Sequence, residues 1–154
     1  LRFAKAEELL TLRRPTHYWP DDLYSPEMAR AMKKLYDAGV SIQAGGHGQM
    51  LGLDLHWEME LLVEGGFSPH EALAAATIAS ARYHGLDRQV GSIEPGKLAD
   101  LVVLRDDPLR DVFNTRAIRF VMKHGILMSG DDLARIYPDP KGGERMYFHP
   151  GPGN

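Results

Sequence analysis

The chain has 154 residues, 44% of them hydrophobic, with 18 Lys and Arg against 21 Asp and Glu and a formal net charge of −3. This composition can bury a core, which excludes wholesale disorder, and it offers no basic block to neutralise the phosphates of a nucleic acid. The absence of cysteine excludes disulfides, thiolate metal sites and cysteine nucleophiles. No apolar run reaches the 18 or more residues of a membrane span, so the chain reads as soluble, with neither nucleic acid nor membrane among its expected partners.

Residues 1–14 carry Phe3, Ala6, Leu9, Leu10 and Leu12 at near-helical spacing, and Pro15 stops that helix. The segment is too densely charged for a signal peptide. It opens on Leu1 rather than Met, which predicts trimming, processing or an incomplete coding sequence and leaves the compartment open. A loop holding His17, Tyr18, Trp19, Asp21 and Asp22 leads to Ser25, Pro26 and Glu27, a helix-start signature. The helix is expected to run to about Ala38, with Met28, Ala31, Met32 and Leu35 on its buried face and Gly39 as its left-handed ending. Residues 40–44 read as a short strand.

Gly45, Gly46, His47 and Gly48 form a glycine-rich turn directly after that strand. Glycines so placed supply unusual backbone dihedrals or let a ligand approach the main chain closely. The pattern over 53–64 is helical and ended by Gly65 and Gly66, and Ser68 with Glu71 is a capping box for the next helix. Residues 72–83 are alanine-rich, which suits a closely packed connector. Beyond Gly85 the period changes. Residues 98–104 read as a buried strand closed by Asp106, Asp107 and Pro108, and 118–123 with 126–128 as a hairpin around His124 and Gly125. Residues 131–137 read as a terminal helical turn and 141–154 as a glycine- and proline-rich tail.

Three residues stand out as candidates for chemistry. His47 sits at the carboxyl end of a strand, where a neutral imidazole can bind a metal or act as general base, although it can equally cap the following helix. His56 and Glu58 pair an imidazole with a carboxylate, but residues two apart on a helix do not share a face. One or the other can point at the glycine turn; the alternative is a hydrogen-bonded His56, a core Trp57 and a solvated Glu58. Asp54, at the helix start, reads as stabilised by the helix dipole. His70, His84, His124 and His149 lie at helix ends and turns, where histidine is ordinary.

The segments SPHEALAAATIASARYHGL (68–86) and GSIEPGKLADLVVLRDDPL (91–109) resemble the C-terminal end of the amidohydrolase superfamily, the metal-dependent hydrolases of imidazolonepropionase and dihydroorotase type. The segment GGHGQMLGLDLHWEME (45–60) is similar, more narrowly, to a subgroup often fused to TolB-like propeller repeats. The resemblance covers about 25–138. It implies a (β/α)8 barrel in which divalent metal ions, most often zinc, activate water against a non-peptide carbon–nitrogen bond of a small molecule. It also implies that the GxIxxGxxADLVV segment belongs to a small β-sandwich, and that the place of the family's eighth-strand aspartate is taken by His47. This makes His47 the candidate catalytic and metal-binding residue and His56 and Glu58 candidate substrate-binding residues.

Length then limits the reading, because a complete barrel takes roughly 200 to 250 residues and the stretch before Val40 holds about one β/α unit. The expected fold is therefore α/β: the last strand and helices of a barrel in 1–88, the strand-rich part of a β-sandwich in 89–138, and an irregular tail in 139–154. With most metal ligands absent from the chain, little activity is expected of it alone. The alternative is a non-catalytic module that self-associates into a homo-oligomer through exposed barrel edges.

Overall fold

The computed structural model describes residues 25–46 and 52–143. The expected helix at 1–14, the loop with His17, Asp21 and Asp22, His47 itself and the tail with His149 lie outside the described residues. Helix α1 (Ser25–Asp37) ends as its sequence predicts: Gly39 adopts φ 93°, and the amides of Gly39 and Val40 donate back to Tyr36 and Leu35. The same ending closes α2 (Asp54–Glu64), where Gly66 at φ 104° and Phe67 donate to Val63 and Leu62.

The buried face of α1 differs from the expected one. Ala29, not Met28, is fully buried, Met32 and Tyr36 pack against the core, and Met28 and Leu35 are exposed. The reason lies in the partner helix. A Cβ on Gly65 would stand 2.5 Å from the Ala29 Cβ, so the two helices cross where each presents its smallest residue. Counting apolar positions along α1 cannot reveal a contact chosen by the absence of a side chain elsewhere.

Helix α3 (Pro69–Ala74) starts with the capping box: the Glu71 amide donates to Ser68 Oγ at 3.2 Å, and the Ser68 amide donates to Glu71 Oε2 at 2.7 Å. The helix then widens into a π turn (Ala75–Ala79) before α4 (Ser80–Tyr83). A π turn swings a carbonyl away from the helix axis. Here the Ala75 carbonyl accepts from Ser80 Oγ at 2.8 Å and from the Ala44 amide at 3.1 Å. Ala72, Ala75 and Ala81 are buried, as expected of a close-packed connector.

Residues 40–46 pass beside this helix without forming the expected strand. A strand exists through its ladder, and among the described residues no other strand flanks this segment; its anchors are helical instead. The four strands observed are β1 (Leu101–Leu104), β2 (Ile118–Lys123), β3 (Ile126–Ser129) and β4 (Arg135–Tyr137), in one antiparallel sheet of order β1-β2-β3-β4. The β2–β3 hairpin turns on His124 at φ 49° and Gly125 at φ 77°, the double positive φ of a type I′ turn. Asp100 secures it, accepting from the His124 amide at 2.8 Å and pairing with Lys123. The conspicuous acid of the ADLVV segment is thus a structural staple.

Two strand expectations need correction. Residues 98–100 precede the strand rather than belong to it, and β1 is not buried: Val102 and Val103 are exposed. The expected helical turn over 131–137 is a tight reversal followed by β4. The Ser129 amide bonds Ala134, Leu133 takes φ 57°, and Arg135 and Tyr137 pair with β3. A left-handed residue there closes a strand connection, which a continuing right-handed helix does not accommodate. Between β1 and β2 a 3-10 turn (Val112–Arg116), started by Asp111 accepting from the Phe113 amide at 3.0 Å, docks on α2. The core joins Ala44, Met59, Leu62, Phe67, Ala72, Ala75 and Val112. Among the described residues no helix is long and apolar enough to cross a membrane.

Candidate functional site

The segment 44–46 enters the glycine turn held on three sides. The Ala44 amide donates to the Ala75 carbonyl, and the Ala44 carbonyl accepts from Ser80 Oγ at 3.2 Å. The Gly45 amide donates to Glu58 Oε2 at 2.7 Å. Gly46 rests on the start of α2, where a Cβ would stand 3.0 Å from both the Asp54 Cβ and the Leu55 nitrogen. A side chain here would sit tightly against the start of α2, so glycine gives the closest approach of turn and helix.

Glu58 therefore faces the turn and His56 does not. His56 Nδ1 lies 3.0 Å from Oγ1 of the buried Thr115, on the side of α2 that receives the 3-10 turn. Burial pushes the His56 imidazole below its ordinary value of 6.5, the neighbouring Arg116 guanidinium adds to the shift, and Glu60 opposes it. Arg116 is itself held by Glu60 through both carboxylate oxygens, with Nε to Oε1 at 2.6 Å. The structure thus separates the two residues the sequence offered as a pair, as their spacing on a helix requires. His56 belongs to the joint between helices and sheet, and Glu58 to the turn.

Asp54 is a feature that reading it as a dipole-stabilised helix start does not anticipate. Its Oδ2 is buried and has no hydrogen-bond partner among the described residues. The i, i+4 spacing of Asp54 and Glu58 puts both carboxylates on the face of α2 nearest the turn, a signal present in the sequence. Trp57 is not a core residue: it is partly exposed and lines a cleft of about 510 Å³ with Leu61, Pro69, Arg110 and Phe113. His70, His84 and His124 are exposed at a helix start, a helix end and the hairpin turn. Among the described residues, no group of three or more His, Asp or Glu is placed to hold a metal ion. Asp54 and Glu58 alone do not amount to such a set.

Residues 5–134 match the Amidohydrolase family. An imidazolonepropionase of Geobacillus kaustophilus is 41% identical over 76 residues, 46% of this chain and 18% of that protein. An adenine deaminase of Clostridium botulinum is 40% identical over 68 residues, 42% of this chain and 11% of that protein. The crystal structure of a Xaa-Pro dipeptidase with bound methionine in the active site superposes with a TM-score of 0.62 at 26% identity, over 80% of this chain and 32% of that one. The chain thus spans less than a fifth of the length of these curated relatives and about a third of that structure.

Proposed function

Because the chain belongs to the amidohydrolase family, we propose that it is the C-terminal part of a hydrolase acting on a carbon–nitrogen bond of a small molecule. In this reading residues 40–46 take the place of the last strand of a (β/α)8 barrel, and the GGH turn stands where that strand delivers a functional group to the barrel mouth. The sheet of β1 to β4 is part of the accompanying sandwich, and the GGHGQMLGLDLHWEME segment belongs to the subgroup fused to TolB-like propellers.

The observation that carries this reading is the anchoring of Ala44 and Gly45 by Ala75 of the π turn, Ser80 of α4 and Glu58 of α2. Three elements, the π turn, α4 and α2, fix a stretch of backbone that has no ladder of its own, immediately before His47. The imidazole of His47 exchanges a proton with the attacking water or the leaving nitrogen. The name of one relative, an adenine deaminase, describes cleavage of a carbon–nitrogen bond that is not a peptide and supports the bond class, whereas the dipeptidase is named for a peptide bond. The family generally uses a divalent metal, zinc being the ion proposed, but the described residues do not make a set that fits one.

His47→Ala and His47→Gln, made in the longest form of the protein that contains this chain, test the assignment. With adenine, imidazolonepropionate and an Xaa-Pro dipeptide as substrates, turnover of whichever is cleaved should fall at least 100-fold. Unchanged turnover and unchanged zinc content in both variants would remove His47 from the site. A second reading, a self-associating module, is favoured by one observation: no strand residue is buried on either face of the sheet. Apolar surface of that extent promotes association. Light scattering decides this point, a metal-free oligomer favouring the module and a monomer with bound metal the hydrolase.

A further inference from the structure

We propose that the docking of the 3-10 turn on α2 is a proton-sensitive latch: uptake of a proton at His56 raises the population in which the sheet half has come off the helical core, while that core stays folded. The inference stands apart from the hydrolytic reading and begins from how the two halves meet. Among the described residues the sheet half packs on the helices chiefly through the 3-10 turn. The buried cluster comes from residues 44–75 apart from Val112. The connector is pinned at Gly91, where a Cβ would stand 2.6 Å from the Ala81 Cβ, and beyond it Gly96, at φ 92°, has open space around it. A sheet with its own ladder and a core with its own buried residues, joined at one patch, can part without either unfolding.

The patch holds a titratable ring against a buried partner. His56 Nδ1 lies 3.0 Å from Oγ1 of Thr115, which is buried. If the neutral ring accepts from the hydroxyl, a second ring proton removes that acceptor and leaves a buried O–H to find another; if the ring donates, the new proton goes to Nε2. In either tautomer the ring becomes a cation. The charged groups that act on it are Arg116, from the 3-10 turn, which repels the proton, and Glu60, from α2, which attracts it. Both Glu60 oxygens are engaged by Arg116, so the added charge finds that carboxylate already matched. Burial first and the Arg116 charge second hold the docked ring below the ordinary 6.5, whereas undocking returns it to water. The proton thus binds the undocked state more tightly, and docking weakens as pH falls through the window below 6.5.

Hydrogen exchange on the full chain reads the two sides of the latch separately. The amides of Asn114 and Ala117, bonded to the Asp111 and Asn114 carbonyls, report the 3-10 turn, and those of Gly65 and Phe67, bonded to Leu61 and Leu62, report the helical core. Between about pH 7.5 and 5.0 the protection of Asn114 and Ala117, corrected for the intrinsic rate, should fall at least about threefold, while that of Gly65 and Phe67 stays within about twofold. The fall should begin near pH 6.5 and level off once the His56 ring signal has titrated. In His56→Gln, which can hydrogen-bond Thr115 but takes up no proton in this range, each amide should be equally protected at both pH values. Equal losses in the turn and the core would show acid unfolding of the whole chain and overturn the latch. So would an unchanged turn in the parent, or a parental fall retained in His56→Gln. If His56→Gln fails to dock at either pH, the parent decides: a fall that levels off with the His56 titration upholds the proposal, and one that runs past it overturns it.

Discussion

The helical half and the sheet half of this chain bury their residues very differently. Among the described residues, every buried side chain lies before residue 84 except Val112 and Thr115, and those two belong to the 3-10 turn that docks on α2. No residue of β1, β2, β3 or β4 is buried, although both faces of the sheet carry apolar residues: Leu101, Phe120, Met122 and Leu127 on one, Val102, Val121 and Met128 on the other. The helical half is a small packed core whose joints are fixed by residue size, Gly65 against Ala29 above all. The sheet is fixed by its ladder and turns, and among the described residues little packs against it. Local pairing can define the form of a sheet, but burial supplies most of the free energy that holds a fold.

The largest expected effect tests that contrast directly. Phe67 is buried and its ring stands 5.1 Å from that of Tyr36, so Phe67→Ala should cost about 3 to 5 kcal/mol in urea unfolding. Phe120→Ala, in the half-buried centre of the sheet, should cost clearly less. Equal costs would mean that the sheet is covered in solution, and light scattering on the same samples would show whether a second copy covers it. Next in size, Gly65→Val drives a side chain into Ala29 and should lower stability by about 1 to 3 kcal/mol, whereas Gly125→Asn at the open hairpin turn should change the urea midpoint little.

Smaller effects sharpen the comparison at the ends and joints. Ser68→Ala removes the hydroxyl that accepts from the Glu71 amide and should cost about 1 kcal/mol by the same measurement. The joint between the halves has a pH signature. His56 is held neutral below its ordinary pKa of 6.5, so in the window just below pH 6.5 the unfolded chain binds the proton that the folded chain refuses. The His56 contribution is therefore complete above pH 6.5 and is lost as pH falls through that window. Urea midpoints at pH 7.5 and 5.5 should differ more in the parent than in His56→Gln. An equal difference would show that His56 does not govern the joint.

Much of the local structure was legible from the residues. The endings at Gly39 and Gly66, the capping box of Ser68 and Glu71, and the turn at His124 and Gly125 are short-range patterns, set within a few residues by backbone sterics and local hydrogen bonds. The left-handed Leu133, by contrast, sits in a segment whose sequence carries no comparable signal, and there the pairing of Arg135 and Tyr137 with β3 decided the conformation. At the candidate site, helical spacing separated His56 from Glu58 in the sequence itself. The partner of each, Thr115 for one and the Gly45 amide for the other, lies 59 or 13 residues away and follows from packing alone.

The sequence by itself determined the helices that begin at Ser25, Asp54 and Pro69, their caps, the hairpin and the family, because these depend on local chemistry and on motifs of fixed spacing. The tertiary structure decided which face of α1 is buried, that Ala44 is held by the π turn and Ser80 instead of a ladder, and that Glu58 grips the Gly45 amide while His56 does not. Those outcomes depend on where one element's missing side chain or freed carbonyl meets another, a matter of three-dimensional contact that no periodicity along the chain encodes.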